Sequence, residues 1–559
     1  MALLCARRNG DLIGALLVMK RFPVLGAALA MLVLVTATAH DEEHAHGELD
    51  RATLGTIKFA TSCTPAAQAQ FETALAMLHS FFYPATLKAF DAVTQTDPQC
   101  AIAYWGLAIA QRPNPLVGPF ESAALQRGLE AARKGLALGP KTERERDWLL
   151  AAEVFFQDYK TIPQAQRTVA YEHAMERLMH KYPDDPEAAI FYALALNETA
   201  LPSDKTYANQ LKAAAILETI YQEQPNHPGV AHYLIHSYDY PALAAHGLPF
   251  ANHYAQIASA APHAFHMPSH IYSMLGMWEE SVRSNQAALK IMEAESAKSW
   301  PGSTHPSAPH SWDFMEYAYL QMGQEKRARQ VRDDANAATK FPFDRLTVYT
   351  GLAAVEARFA LERGAWQEAA QLKPRGSRFP QSEAITYFAR ALGAARSGKP
   401  KMAQPEIEKL MQLRTQLAQA GETYWAEQVQ GQILATTAWS DLALGKNDEA
   451  VTHMRDAADL EGRSEKNVAM ENRLYPMREL LGDMLLEIKR PTEALTAYED
   501  SMQTTPNRLR GLYGAAHAAE LAKDDQKAKT YYEKLIVLTR HADAVRPEIQ
   551  QAKFYLSQH

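Results

Sequence analysis

The chain has 559 residues, with 57 Lys and Arg against 64 Asp and Glu, for a formal net charge of −7. That length suits several domains or one long array. The two signs of charge are interspersed, with no basic stripe and no interleaved aromatics, which speaks against nucleic acid as a partner.

Arg7, Arg8, Lys20 and Arg21 precede the apolar run "FPVLGAALAMLVLVTATA". Positive charge, a short apolar core and the A-x-A pattern Ala37-Thr38-Ala39 read as a secretory signal, residues 1–39, cleaved after Ala39. Met19 as the start would make the signal more compact. Export to the periplasm or the medium is expected, with no membrane attachment after cleavage. An uncleaved anchor is the alternative, since the run is just long enough to test the limit. Residues 40–62 read as a histidine-bearing acidic tail. In it His40, His44 and His46, with the new amine, can chelate Cu(II) or Zn, and a solvated tail with no metal is the plainer reading. Beyond the signal only Cys63 and Cys100 remain. An even number in an oxidising compartment predicts one disulfide, the alternative being two buried thiols.

After the tail nearly every window carries the apolar period of a helix, broken by Gly, Pro or Asp-Pro. "CAIAYWGLAIA" follows Asp97-Pro98, and "AAIFYALALNETA" follows Asp185-Pro186. His79 has no placed acid and reads as a packed helix residue. The Pro-rich stretch 111–121 reads as a loop that can form a groove wall. In "HYLIHSYD", His232 and His236 are four residues apart; "HAFHMPSHIYS" holds His263, His266 and His270. His266 follows His232 by 34 residues, and His270 follows His236 by the same 34. "APHAFHMPSHIY" also aligns with "APHSWDFMEYAY" at an offset of 47, matching His310 to His263, Asp313 to His266 and Tyr317 to His270. The stretch "SWPGSTHPSAPHSW" is loop-like and can wrap over a groove. "KPRGSRFPQ", residues 373–381, interrupts the helical period and reads as a joint between arrays 63–372 and 373–559.

The C-terminal units are the clearest. "LLGDMLLEIKRPTEALTAYEDSMQTTPN" and "LYGAAHAAELAKDDQKAKTYYEKLIVL" each give a helix with a small residue, a tight turn and Ala-x-x-x-Tyr. Ala494 and Tyr498 in the first correspond to Ala528 and Tyr532 in the second, 34 residues on. The chain here resembles the tetratricopeptide repeat, a 34-residue helix–turn–helix unit. The resemblance covers most of residues 64–559. It implies an all-α solenoid in which stacked pairs bury their apolar stripes and first helices line a concave groove. "CTPAAQAQFETALAMLHSFFYPATLKAFDAV" and "HPGVAHYLIHSYD" also resemble a group of exported bacterial repeat proteins. That likeness implies no activity.

In this register Ser269, Tyr272 and Leu275 face the second helix, while His266 and His270 face the groove. Histidines four apart on a helix can share a metal ion. The pair His232 and His236, one repeat earlier, predicts four imidazoles converging from adjacent helices. His310 and Asp313 are expected in the first or second shell of ligands, and His263 is a weaker candidate. Pro268 belongs in a first helical turn, which leaves the aim of His266 open. Neutral imidazoles without thiolate suit Zn or Cu, with Fe or Ni possible. Met267, Met274 and Met277 would suit Cu(I), though Met at helical spacing is ordinarily core. Three histidines with an open position and Asp313 or Glu198 as acid–base would be catalytic; four would be structural. Phosphate-binding glycine loops, G-x-S-x-G and H-E-x-x-H are absent from the sequence. The expectation is an exported repeat protein binding a transition metal. The alternative is a scaffold holding a peptide or protein in the groove.

Overall fold

Tyr498 shows how the helices stack. Its side chain, 1% exposed, sits between Gly482 on the helix Met477–Glu487 and Gly514 on Leu509–Leu521. A methyl group at either glycine would strike the Tyr498 ring. The helix Pro491–Met502 thus packs against its own partner and the next unit's first helix, which is the repeat logic read from the sequence. Ala494, Ala528 and Tyr532 are likewise fully buried.

This computed structural model describes residues 51–559, apart from 84 and 471. The signal segment 1–39, His40, His44, His46 and the first part of the tail lie outside the described residues. The described chain is an all-α helix–turn–helix solenoid with no strand among the described residues. Successive helices pack on one another along its length. No helix among them is long and apolar enough to cross a membrane.

Several turns need the left-handed backbone conformation. Gly276, at φ 67°, ends the histidine-bearing segment, and a Cβ there would also lie 2.7 Å from that of Asn507. That close approach marks a long-range contact: Trp278 donates from its ring nitrogen to the Asn507 carbonyl at 2.7 Å. Nearby, Arg508 donates to the Tyr317 hydroxyl and to Glu362, both at 2.7 Å. The solenoid therefore winds back on itself, with its last units against its middle.

Three boundaries differ from the sequence reading. The expected tail does not extend to residue 62, because Leu54, Ile57 and Phe59 are at most 3% exposed in the N-terminal core. The stretch 373–379 is non-helical, as a joint should be. Yet Leu346, Ala357 and Ala369 before it share one apolar cluster with Ile385 and Phe388 after it. It is a loop within a continuous stack, since apolar packing passes behind it. The proline-broken segment is two short helices, Pro262–His266 and Pro268–Met274, each with a proline in its first turn.

Cys63 precedes the helix Pro65–His79, and Cys100 precedes Ala101–Ile109. They form a disulfide with Cα atoms 4.9 Å apart.

Candidate metal centre

The four repeated histidines come together, but as two groups. His232 and His236 lie on the helix Pro228–Tyr238, and His263 joins them from Pro262–His266. His266 and His270 are joined by His310 from Ala308–Gln321. Each triad thus takes the i, i+4 pair of one unit and the APH histidine of the next. The expected four-histidine site divides because the break at Pro268 turns His263 back toward the preceding helix.

Within the first triad the His232 Nε2 is 3.1 Å from Nε2 of both His236 and His263. Within the second, Nε2 of His266 and His270 are 3.0 Å apart. Nitrogens bound to one zinc at about 2.0–2.1 Å with tetrahedral angles lie about 3.3–3.4 Å apart, so the spacing is close to that of neighbouring ligands.

Proton accounting shows what such spacing requires. A neutral imidazole carries one N–H. His266 Nδ1 lies 2.7 Å from Asn285 Oδ1, while the Asn285 amide nitrogen donates to the Ser281 carbonyl at 2.9 Å. His270 Nδ1 lies 2.8 Å from Asp239 Oδ2. Both partners are acceptors, so both Nδ1 atoms carry the proton and both Nε2 atoms present lone pairs. Two lone pairs 3.0 Å apart repel unless a cation lies between them. His232 is set the same way, its Nδ1 donating to the His79 carbonyl at 2.6 Å. A second partner that fixes the tautomer of a ligating histidine is characteristic of metal sites.

A proton is a poor candidate for that cation. Burial first, then the neighbouring His270, pushes His266 down to about 3. Burial is likewise the main cause that holds His232, His236, His263 and His310 well below the usual histidine range. At neutral pH these imidazoles are neutral ligands.

The helical pairs do not line an open groove as expected; His232, His236, His266 and His270 are at most 4% exposed. Phe81 packs on all three rings of the first triad, at 4.5–6.0 Å between centroids, from a backbone at φ 49°. Phe314 packs on all three of the second, at 4.9–5.2 Å. His263 and His310 are the partly exposed members, one in each triad.

Asp313 is not with the histidines. It is buried in an ion pair with Arg358, whose guanidinium also donates to the Asn472 carbonyl at 3.0 Å. The buried cation claims the carboxylate that the alignment placed beside His310. Tyr317 is engaged with Arg508 in the same way. Glu198, the other expected acid, pairs with Arg112 at a small cavity across Phe81.

Sequence reasoning missed the supporting groups. Asp239 accepts from His270 and pairs with Lys466 at 2.6 Å, a lysine from the loop that follows Asn447–Gly462. The same loop donates from the Glu465 backbone to the Pro202 carbonyl at 2.7 Å. Asp239 had a local signal, an acid directly after the helical pair; Lys466 had none. A third group, His79, Glu187 and His227, also has metal-like proximity. Its accounting closes without a cation. His227 Nδ1 accepts from the Val230 backbone at 3.3 Å, so its Nε2–H donates to Glu187 at 2.8 Å. His79 Nδ1 can accept from the Tyr233 hydroxyl at 3.0 Å while Nε2–H donates to Glu187 at 2.9 Å. This trio is a hydrogen-bonded brace, and it holds the residue whose carbonyl orients His232.

No protein-family model matches the chain, and no curated protein matches it in sequence. Among solved structures, it is similar to a human IFIT1 dimer with m7Gppp-AAAA at 12% identity and TM-score 0.33. The match covers 78% of this chain and 90% of that one. A human IFIT1 dimer with PPP-AAAA is similar over the same shares, at 12% identity and TM-score 0.37.

Proposed function

We propose that the chain is an exported helical-repeat protein that binds a late first-row transition metal through its buried histidines. The observation that carries this reading is the 3.0 Å approach of two Nε2 lone pairs whose Nδ1 protons are committed to Asn285 and Asp239. An all-nitrogen, neutral donor set favours copper or zinc over magnesium or calcium. Export rests on the leader and on the Cys63–Cys100 disulfide, a bond at home in an oxidising compartment. Cleavage after Ala39 leaves a chain that begins at His40.

The scaffold alternative keeps the groove but loses the histidines. A peptide would have to reach side chains at most 4% exposed.

The test is metal analysis of protein secreted from its own leader and purified without a histidine tag. Zinc or copper should co-purify in stoichiometric amount, and His266→Ala with His270→Ala should reduce it while leaving the helical circular-dichroism signal. Protein that binds none of Zn, Cu, Fe or Ni tightly would leave the scaffold reading standing.

A further inference from the structure

The two triads are one construction made twice. His232 and His266, and His236 and His270, are 34 residues apart; His263 and His310 share the APH context at an offset of 47. Each triad combines a helical pair with the APH histidine of the next unit, and in each a phenylalanine packs on all three rings. Each also has a histidine whose Nδ1 proton is committed to an acceptor, leaving Nε2 aimed at its fellows. What suits one triad to an ion suits the other.

The triads are also adjacent. His263 and His266 are three residues apart on one short helix, with ring centroids 5.9 Å apart, and the rings of His236 and His270 are 6.3 Å apart. Within a triad, neighbouring rings are 4.8–4.9 Å apart. The groups therefore stand side by side, each with a partly exposed member.

We infer that the centre is dinuclear: one ion of copper or zinc in His232, His236 and His263, and a second in His266, His270 and His310. The inference rests on the metal-binding reading above and adds stoichiometry and adjacency to it. Three protein nitrogens per ion leave an open position on each, as in sites where metal meets a small exogenous ligand. Close two-metal sites of this kind can bind one oxygen ligand between them.

The experiment uses the full mature chain, stripped of metal and titrated with Zn(II) or Cu(II). Metal per chain is read after desalting by mass spectrometry. Wild type should retain two ions, while His263→Ala and His310→Ala should each retain one. With Cu(II), spin counting by paramagnetic resonance should give far fewer than two spins for wild type, because neighbouring coppers couple, and close to one full spin for each variant. No retained metal in wild type would overturn the metal reading itself. One ion per chain, or the loss of all metal in both single variants, would overturn the dinuclear assignment alone. Two ions with two full, uncoupled spins would overturn adjacency. Circular dichroism on each variant separates ligand loss from unfolding, and a variant that fails to fold is replaced by His→Gln at the same position.

Discussion

Asp239 offers the sharpest test of how the histidines are aimed. Its Oδ2 accepts from His270 Nδ1 at 2.8 Å and pairs with Lys466 at 2.6 Å, in a setting where Asp239 is 1% exposed. Asp239→Asn keeps the shape and removes the charge. A hydrogen bond to a charged group contributes about 1.5–3 kcal/mol and a neutral one about 0.5–1.5, so the His270 link loses about 1–1.5 kcal/mol. Expressed in metal binding, that is about 5- to 15-fold in dissociation constant. Losing a negative charge beside a cation pushes in the same direction, and outer partners of ligating histidines typically matter by about 10- to 100-fold. The variant should therefore bind Zn(II) about tenfold more weakly or worse. Lys466→Met should bind more tightly, since it removes a neighbouring positive charge. Competition against a chromophoric chelator measures both, with thermal melts to confirm folding. Wild-type affinity in Asp239→Asn would refute the reasoning. So would equal weakening by both variants, which would make the effect one of packing.

Replacing Cys63 and Cys100 by serine opens a loop spanning 37 residues, and chemical denaturation should show a loss of about 4 kcal/mol by loop entropy. Burial raises Glu198 to about 7 even with the Arg112 guanidinium against it. Between about pH 4.5 and 7 the folded state then holds a proton that the unfolded state has released. Stability should fall as pH rises through that window, by about 1.4 kcal/mol per pH unit, relative to Glu198→Gln, which cannot ionise; paired denaturation curves at several pH values check this. Gly229→Ala drives a methyl into the His79 ring, whose residue orients His232. It should lower stability by about 1–3 kcal/mol and reduce zinc retention, both readable on one preparation.

The repeat architecture was legible because its signals are local. Ala494, Tyr498 and the glycines they pack against recur at the repeat period, and the structure uses them as the pattern implies. The histidine pairs were legible for the same reason. Their sorting into triads was not, because it depends on where two prolines break a helix, and the alignment ranked His263 below residues it in fact accompanies. Asp313 misled because an alignment gives position along a helix and not the neighbour across it; Arg358, 45 residues on, decides its role. Lys466 lies 227 residues beyond Asp239, and no periodicity joins the two. Burial was missed through Phe81 and Phe314, which read as ordinary apolar residues and serve as walls on the rings.

The loop carrying Glu465 and Lys466 gives the centre a direction in time. Its first contributors, His79 and Phe81, emerge early from a ribosome or a translocation pore, and Lys466 emerges after more than four-fifths of the chain. Until residues 463–476 fold onto Pro202 and Asp239, His270 lacks the surroundings that hold its proton and set its aim. A nascent chain can own every histidine and still grip metal poorly. Capture becomes firm only when the distant loop closes, so a complete centre reports that the whole solenoid has been wound.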